Sequence, residues 1–230
     1  IDTMLPAMKA AKSTKTKNIL ITMWGDDGKE CSFYSVLPSL FAIRKFYEGE
    51  YDTDTIKFEF EKITGEKYDS FMELDKLDMV GGSSGAPSNP AKHMLYNDPF
   101  CGIYDTTAKA NVSIEYAEIA QKLKDYAKTS KFSYLFQTLS NLADVLTIKY
   151  DLGVRTRKAY QDGDREALSK IICDYEETAK RLKKFHQSFQ ELWLKENKAN
   201  GFEVQDIRIG GLIQRIKSCQ NRLKLYTTYY

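Results

Sequence analysis

The chain has 230 residues, of which 42% are hydrophobic and 29% are charged, so it is long enough for one large domain or two small ones. Its 34 basic and 32 acidic residues leave a net charge of only +2. This balance, without a long block of one sign, gives no electrostatic support to a nucleic-acid or anionic-membrane partner, and we predict neither.

No apolar run approaches the roughly 20 residues that a membrane-spanning helix needs, and the start shows no signal-peptide pattern. The four cysteines, Cys31, Cys101, Cys173 and Cys219, are too far apart for a zinc cluster and too few for a disulfide framework. We therefore predict free thiols, a cytoplasmic location, no metal site and no cofactor.

The first 48 residues predict helix, strand, acidic loop and helix. Apolar spacing favours helices over 2–12 and 34–48, the second with Pro38 in its first turn. Between them, the β-branched and apolar run 19–23 is typical of a parallel strand buried on both faces. One strand cannot form a sheet, and the chain begins with Ile, so we expect a piece of a longer protein.

The rest of the chain predicts helices and loops. Shorter helices are expected over 55–64 and 69–79, the second capped by Asp69 or Ser70, and a Gly/Ser/Pro-rich loop over 80–92. An aromatic loop, 95–105, is expected to pack on helices, or else to meet a barrel rim or second subunit. Four long helices follow, from about 112 to 126, 132 to 160, 164 to 201 and 204 to 226.

These elements define the predicted fold class and domains. The chain is predicted to be mainly α, with a C-terminal helical bundle preceded by the remnant of a β/α barrel, namely one strand and flanking helices. The barrel remnant takes residues 1–48 and the helical domain takes residues 49–230. Of the two histidines, His186 lies on an inward stripe and is predicted to be a hydrogen-bonded or partly exposed core residue.

Trp24 is the first candidate site residue, because it ends the predicted strand and Asp26, Asp27 and Glu30 follow it. At the carboxyl ends of barrel strands, side chains face the active site. An aromatic ring there can stack on the C–H face of a sugar, and a carboxylate can accept its hydroxyl hydrogen bonds, worth about 1.5–3 kcal/mol each. By spacing alone, core packing of Trp24 and a solvated Gly-Asp-Asp-Gly turn remain open.

Three stretches resemble glycoside hydrolase family 20, the β-N-acetylhexosaminidases. "ITMWGDDGKECSFYSVLPSL" is similar to the eighth strand, loop and helix of the family's catalytic barrel. "LYNDPFCGIYD" and "GFEVQDIRIGGLIQRI" resemble the helical carboxyl-terminal region of its smaller bacterial members. The resemblance implies that Trp24 lines the pocket for a terminal N-acetylhexosamine. It also implies that Asp26, where many members have Glu, binds the outer hydroxyls; Asp27 and Glu30 receive no role.

The resemblance also implies a retaining, substrate-assisted hydrolysis, in which the 2-acetamido group attacks the anomeric carbon and an Asp-Glu pair assists. No equivalent of that pair is found, so the chain supplies no catalytic residue and is expected to be inactive alone. The implied partners are N-acetylhexosamine-terminated glycans and the missing barrel part of the same protein. As a separate hypothesis, we expect the helical domain to buttress the barrel and to mediate a homodimer.

Two alternatives belong to other classes. A stand-alone helical interaction module would fold cooperatively as it stands, with Trp24 in its core. A carbohydrate-binding domain without catalysis would bind sugar by itself. A barrel remnant differs from both because it should leave apolar surface exposed within residues 1–48.

Overall fold

The computed structural model describes residues 3–24, 30–82 and 89–229, and its regular elements in those ranges are all helical, which confirms the predicted mainly-α class. The α-helices are α1 (Met4–Ser13), α2 (Leu37–Glu48), α3 (Thr53–Thr64), α4 (Tyr68–Met72), α5 (Pro90–Tyr96), α6 (Val112–Tyr126), α7 (Ser133–Gln161), α8 (Arg165–Glu196) and α9 (Phe202–Tyr229). Short 3₁₀ helices cover Phe33–Val36, Glu73–Asp78, Val80–Gly82 and Asp105–Thr107.

The chain forms two compact units, Ile1–Leu74 and Asp75–Tyr230. In the first unit, α2 packs on α1, α3 and α4 around a small aromatic core. The Phe60 ring lies at its centre and makes edge contacts with Phe41, Tyr68 and Phe71 at centroid distances of 5.6, 5.5 and 6.2 Å. The predicted division at residue 48 stays a prediction, as does the barrel origin of residues 1–48.

Capping residues set the helix ends of this unit. Gly49 ends α2 with a φ of +99°, a left-handed conformation that a side chain would strain. Asp52 begins α3, because its carboxylate accepts a hydrogen bond from the Thr55 backbone N–H at 2.8 Å. The expected cap of α4 was wrong: the helix begins at Tyr68 after Lys67, so Ser70 lies inside it rather than at its start.

The predicted strand over Ile19–Met23 is not formed in the described structure. Residues 16–24 adopt no regular element, and Leu20 is 85% exposed instead of buried on both faces. A strand is stabilised by hydrogen bonds to neighbouring strands on its edges. The described residues supply no such neighbour, so this apolar run lacks the partner that would make it a strand.

The second unit is built from the four predicted long helices, and all four are present. Helix α7 packs between α6 and α8, and α8 packs between α7 and α9. Asp164 begins α8 by accepting a hydrogen bond from the Ala167 N–H at 2.9 Å. The residues spaced by three and four along one face of α9 are all buried: Ile209, Leu212, Ile216, Cys219 and Leu223.

Two predicted boundaries differ from the structure. The expected loop over 80–92 and the start of the aromatic loop contain α5, which begins at Pro90 and buries Ala91, Met94 and Leu95 against α7. Proline presets the first helical turn, but this apolar pattern is too short to reveal a helix. Helix α8 ends at Glu196, before Gly201, and the Trp193 indole N–H then donates to the Lys198 carbonyl at 2.8 Å.

Candidate functional site

The candidate site begins at Trp24, which is 79% exposed in this structure. It follows an apolar run that is exposed along most of its length, including Leu20 and Met23. The core-packing interpretation of Trp24 therefore does not hold within this chain. An indole ring with this much free surface can stack on a ligand or pack on protein that is not part of the described residues.

The acidic part of the site lies partly outside the described residues. Asp26 and Asp27 fall in the segment 25–29, so the structure does not test their predicted positions. Glu30 is half-buried at the far end of that segment. Ser32 then begins the 3₁₀ helix that leads into α2, and its hydroxyl accepts a hydrogen bond from the Tyr34 N–H at 3.0 Å.

An open cavity of about 390 Å³ lies beside the apolar run. Its lining combines apolar side chains from α1, the run and α2 with polar groups: Met8, Lys17, Asn18, Ile19, Ile21, Ile43, Arg44 and Tyr47. The Arg44 guanidinium donates to Glu48 at 2.9 Å, so its charge is already paired. The lining of this open cavity is therefore about as polar as it is apolar.

A buried lysine of α7 binds the backbone at the start of the aromatic loop that follows α5. Lys149 of α7 is 1% exposed, and its ammonium donates to the backbone carbonyls of Met94 and Asn97 at 3.0 and 2.7 Å. Burial lowers the pKa of Lys149 to about 8, because the charged form loses its hydration. Periodicity did not predict this contact; the only signal was a lysine adjoining the inward Tyr150.

Two arginines fix the sides of the same loop. Arg215 of α9 donates to both carboxylate oxygens of Asp98, with Nε–Oδ2 at 2.6 Å and Nη2–Oδ1 at 3.1 Å. Asp98 also accepts hydrogen bonds from the backbone N–H groups of Phe100 and Cys101. The Arg215 hydrogen bonds and these N–H donors hold the pKa of Asp98 well below its usual range.

Arg157 makes the second clamp, bonding the Pro99 carbonyl and pairing with the Asp105 carboxylate. Gly153 of α7 permits this approach, since a Cβ there would lie 3.0 Å from the Pro99 backbone. The ring of His93, which lies in α5, stacks on the ring of Tyr104 in the loop at a centroid distance of 4.7 Å. The predicted packing of the aromatic loop on helices is thus observed, while its rim or subunit role stays untested.

The remaining predicted features are simpler. All four cysteines are free, as predicted, with Cys219 buried and the other three exposed. His186 contacts Asp206 with Nε2–Oδ1 at 2.7 Å, in agreement with a hydrogen-bonded, partly exposed histidine. Within residues 3–24, 30–82 and 89–229, no cluster of three or more His, Cys, Asp or Glu could hold a metal ion. The described helices include none long and apolar enough to cross a membrane.

Comparison with known proteins identifies the larger part of the chain. The model of the Glycoside Hydrolase 20C C-terminal domain matches residues 69–229, which include the aromatic loop and all four long helices. No curated protein matches the chain. Because the match covers well over half of the 230 residues, the resemblance seen in the sequence is confirmed, and the chain belongs to the glycoside hydrolase 20 family through its C-terminal helical domain.

Proposed function

We propose that this chain is the carboxyl-terminal part of a bacterial, cytoplasmic β-N-acetylhexosaminidase, an enzyme that releases terminal N-acetylhexosamine from glycans by retaining, substrate-assisted hydrolysis. Residues 18–24 are the last strand of its catalytic barrel, and residues 49–230 are the helical domain that buttresses it. The chain alone lacks the acid and the other strands, so it is inactive by itself.

The exposed run before Trp24 is the observation that supports this proposal best. Leu20, Met23 and Trp24 present apolar surface in a segment without a regular element, beside an open cavity. Soluble monomeric domains rarely leave such a contiguous patch without a partner. A parallel barrel strand has this composition because neighbouring strands and helices cover both of its faces. In the proposed enzyme, the upstream part of the catalytic barrel is that partner.

In the intact enzyme, Trp24 forms one wall of the sugar pocket. Its ring stacks on the apolar C–H face of the terminal pyranose, and Asp26, two residues later, accepts hydrogen bonds from the outer hydroxyls. Each such bond to a carboxylate contributes about 1.5–3 kcal/mol. Both residues bind and orient substrate, while the acetamido group and the upstream carboxyl pair carry the chemistry.

The test compares three proteins on 4-nitrophenyl N-acetylglucosaminide and the galactosaminide. They are this chain, the protein extended upstream in its own gene, and the extended protein carrying Trp24→Ala. We expect hydrolysis only by the extended protein, with kcat/KM reduced at least 100-fold by Trp24→Ala because the stacking wall is removed. Asp26→Asn should lower kcat/KM about 10-fold or more.

Two controls separate binding from misfolding. Trp24→Phe keeps an aromatic face and should retain more activity than Trp24→Ala, while thermal unfolding shows whether each variant is folded. Hydrolysis by the chain alone would contradict the predicted inactivity. An extended protein without hydrolysis of either substrate would favour the alternative, a helical interaction module.

A further inference from the structure

The carboxyl-terminal ends of α7 and α9 together expose a cluster of tyrosines. The Tyr160 ring of α7 contacts the Tyr226 ring of α9, with the ring centroids 5.0 Å apart and the planes tilted by 55°. Tyr160 is 55% exposed, and Tyr229, which lies one turn beyond Tyr226, is 74% exposed. Two more residues of α9 lie on the same side of the helix at spacings of three and four. We call the whole set the tyrosine surface: Tyr160, Arg222, Leu225, Tyr226 and Tyr229.

Arg222 extends the tyrosine surface towards the aromatic loop. Its guanidinium carbon lies 5.6 Å from the centroid of the half-buried Phe100 ring, and that of Arg215 lies at the same distance. Because the two arginines are about 10.5 Å apart along one side of α9, the Phe100 ring lies between them. Arg215 is paired with Asp98, whereas Arg222 makes no ion pair in the described part of the chain. The N–H donors of Arg222 are therefore available to a ligand.

The chemistry of the tyrosine surface suits a carbohydrate. Each tyrosine ring offers a flat apolar face to the C–H groups of a pyranose, and each hydroxyl both donates and accepts hydrogen bonds. Arg222 can donate to hydroxyl oxygens or to the carbonyl oxygen of an acetamido group. Leu225 is the single aliphatic member of the set. An apolar partner would therefore bury the tyrosine hydroxyls and the guanidinium without acceptors, which is unfavourable.

The spacing of these groups fits an oligosaccharide better than a single sugar. Arg222 and Tyr229 are seven residues apart, which is about 10 Å along the axis of α9 at 1.5 Å per residue. The Tyr160 ring widens the surface on the side of α7. A chain of linked hexosamines can contact several of these side chains at once, whereas a monosaccharide covers one ring. Affinity should therefore rise with the length of the glycan.

From the exposed rings, the available donors of Arg222 and their spacing, we propose that the tyrosine surface is a carbohydrate-binding site for N-acetylhexosamine oligosaccharides, made of residues other than Trp24 and Asp26. The choice of N-acetylhexosamine rests on the proposed function, but the site itself uses no part of the barrel. Such a site keeps a long glycan on the enzyme between successive hydrolytic events, because a tethered chain end has a high effective concentration.

The test titrates the 230-residue chain with the β-1,4-linked tetramer of N-acetylglucosamine and follows binding by saturation-transfer NMR. We expect binding of the tetramer and much weaker binding of N-acetylglucosamine itself. Tyr229→Ala should weaken binding of the tetramer at least about 5-fold, because one stacking face is lost. Tyr229→Phe keeps that face and should retain most of the affinity. Since Tyr229 is 74% exposed, both variants should unfold at the same temperature as the unchanged chain.

Two control variants locate the binding on the tyrosine surface. Tyr47→Ala removes a tyrosine of α2 that is 56% exposed, and it should leave binding unchanged. Trp24→Ala should also leave binding unchanged, which separates this site from the pocket of the proposed function. No binding of the tetramer, equal binding by Tyr229→Ala, or loss of binding in Trp24→Ala would overturn the proposal. Self-association of the chain that Tyr229→Ala abolishes would overturn it too, by identifying a protein contact. Hydrolysis by the extended protein is measured separately, so either proposal can fail while the other stands.

Discussion

The long helices of the second unit and the run before Trp24 in the first treat their apolar residues in opposite ways. In the second unit, large side chains of the long helices are fully buried, as Leu168 and Leu146 are. In the first, the run before Trp24 has equally apolar residues, yet Leu20 is 85% exposed. Composition is therefore no guide to burial by itself: a helix face finds its partner within the chain, whereas a strand requires neighbours that the described residues do not contain.

The sharpest test of this contrast makes one chemical change in each unit. Leu168→Ala removes a fully buried side chain between packed helices and should lower the free energy of unfolding by about 2–5 kcal/mol. Leu20→Ala removes the same atoms from an exposed position and should change it by less than about 0.5 kcal/mol. Urea titration followed by far-UV circular dichroism measures both. Equal losses would show that the run before Trp24 is packed in solution.

The second unit is also distinguished by the charged clamps on its aromatic loop. Asp98→Asn leaves Arg215 without its carboxylate partner and should cost about 1.5–3 kcal/mol at pH 7. Because the pKa of Asp98 is lowered in the folded state, its stabilisation is present above the ordinary pKa near 4 and is lost as pH falls below it. The difference between the two proteins should therefore shrink from pH 5 to pH 2 in urea titrations.

A matched carboxylate shows whether that loss is specific to the loop. Asp162 pairs with Lys158 at 2.9 Å on an exposed surface, where such pairs contribute little. Asp162→Asn should change the free energy of unfolding by less than about 1 kcal/mol at pH 7. If Asp98→Asn costs no more than this control, the Arg215 clamp does not stabilise the loop.

The sequence predicts a region well when its stabilising contacts join residues that are close in sequence, and poorly when they join residues that are far apart. Local periodicity was sufficient to predict α6 to α9. The loop clamps were not readable, since Lys149 reaches Asn97 across 52 residues and Arg215 reaches Asp98 across 117. The strand prediction was wrong for a related reason. A strand is stabilised by neighbouring strands that are usually distant in sequence, and the described residues contain none. Family resemblance identified the domain where periodicity could not, through the aromatic loop and α9.

The contribution of Lys149 to the stability of the second unit depends on pH. Its folded pKa of about 8 is below the unfolded value of 10.5, so the unfolded chain binds more protons between those values. The contribution of Lys149 to stability therefore rises as pH increases from 8 to about 10. The neutral amine still donates to the carbonyls of Met94 and Asn97, so the loop keeps its hydrogen bonds.

Lys149→Met removes this titration together with its donors. We expect the variant to be less stable than the unchanged chain by an amount that grows from pH 8 to pH 10, measured in urea titrations at each pH. The control is Lys170→Met, which replaces an exposed lysine on α8 and should change the free energy of unfolding by less than about 0.5 kcal/mol. A gap between Lys149→Met and the unchanged chain that stays constant over the window would show that Lys149 does not titrate there.

The last comparison involves no change in stability and uses the two tryptophans as reporters, since Trp24 is 79% exposed and Trp193 is 6% exposed. In Trp193→Phe, emission comes from Trp24 and should be red-shifted and strongly quenched by acrylamide. In Trp24→Phe, the emission comes from Trp193 and should be blue-shifted and protected from acrylamide.

Extension of the chain upstream should move the Trp24 emission towards the blue and reduce its quenching, because a barrel would cover the run that precedes it. Added N-acetylglucosamine should then protect Trp24 further in the extended protein but not in the chain alone, which separates burial by neighbouring strands from contact with the sugar. A Trp24 that is already protected in the chain alone would remove the contrast between the two units, because its exposed surface would then be covered without any barrel.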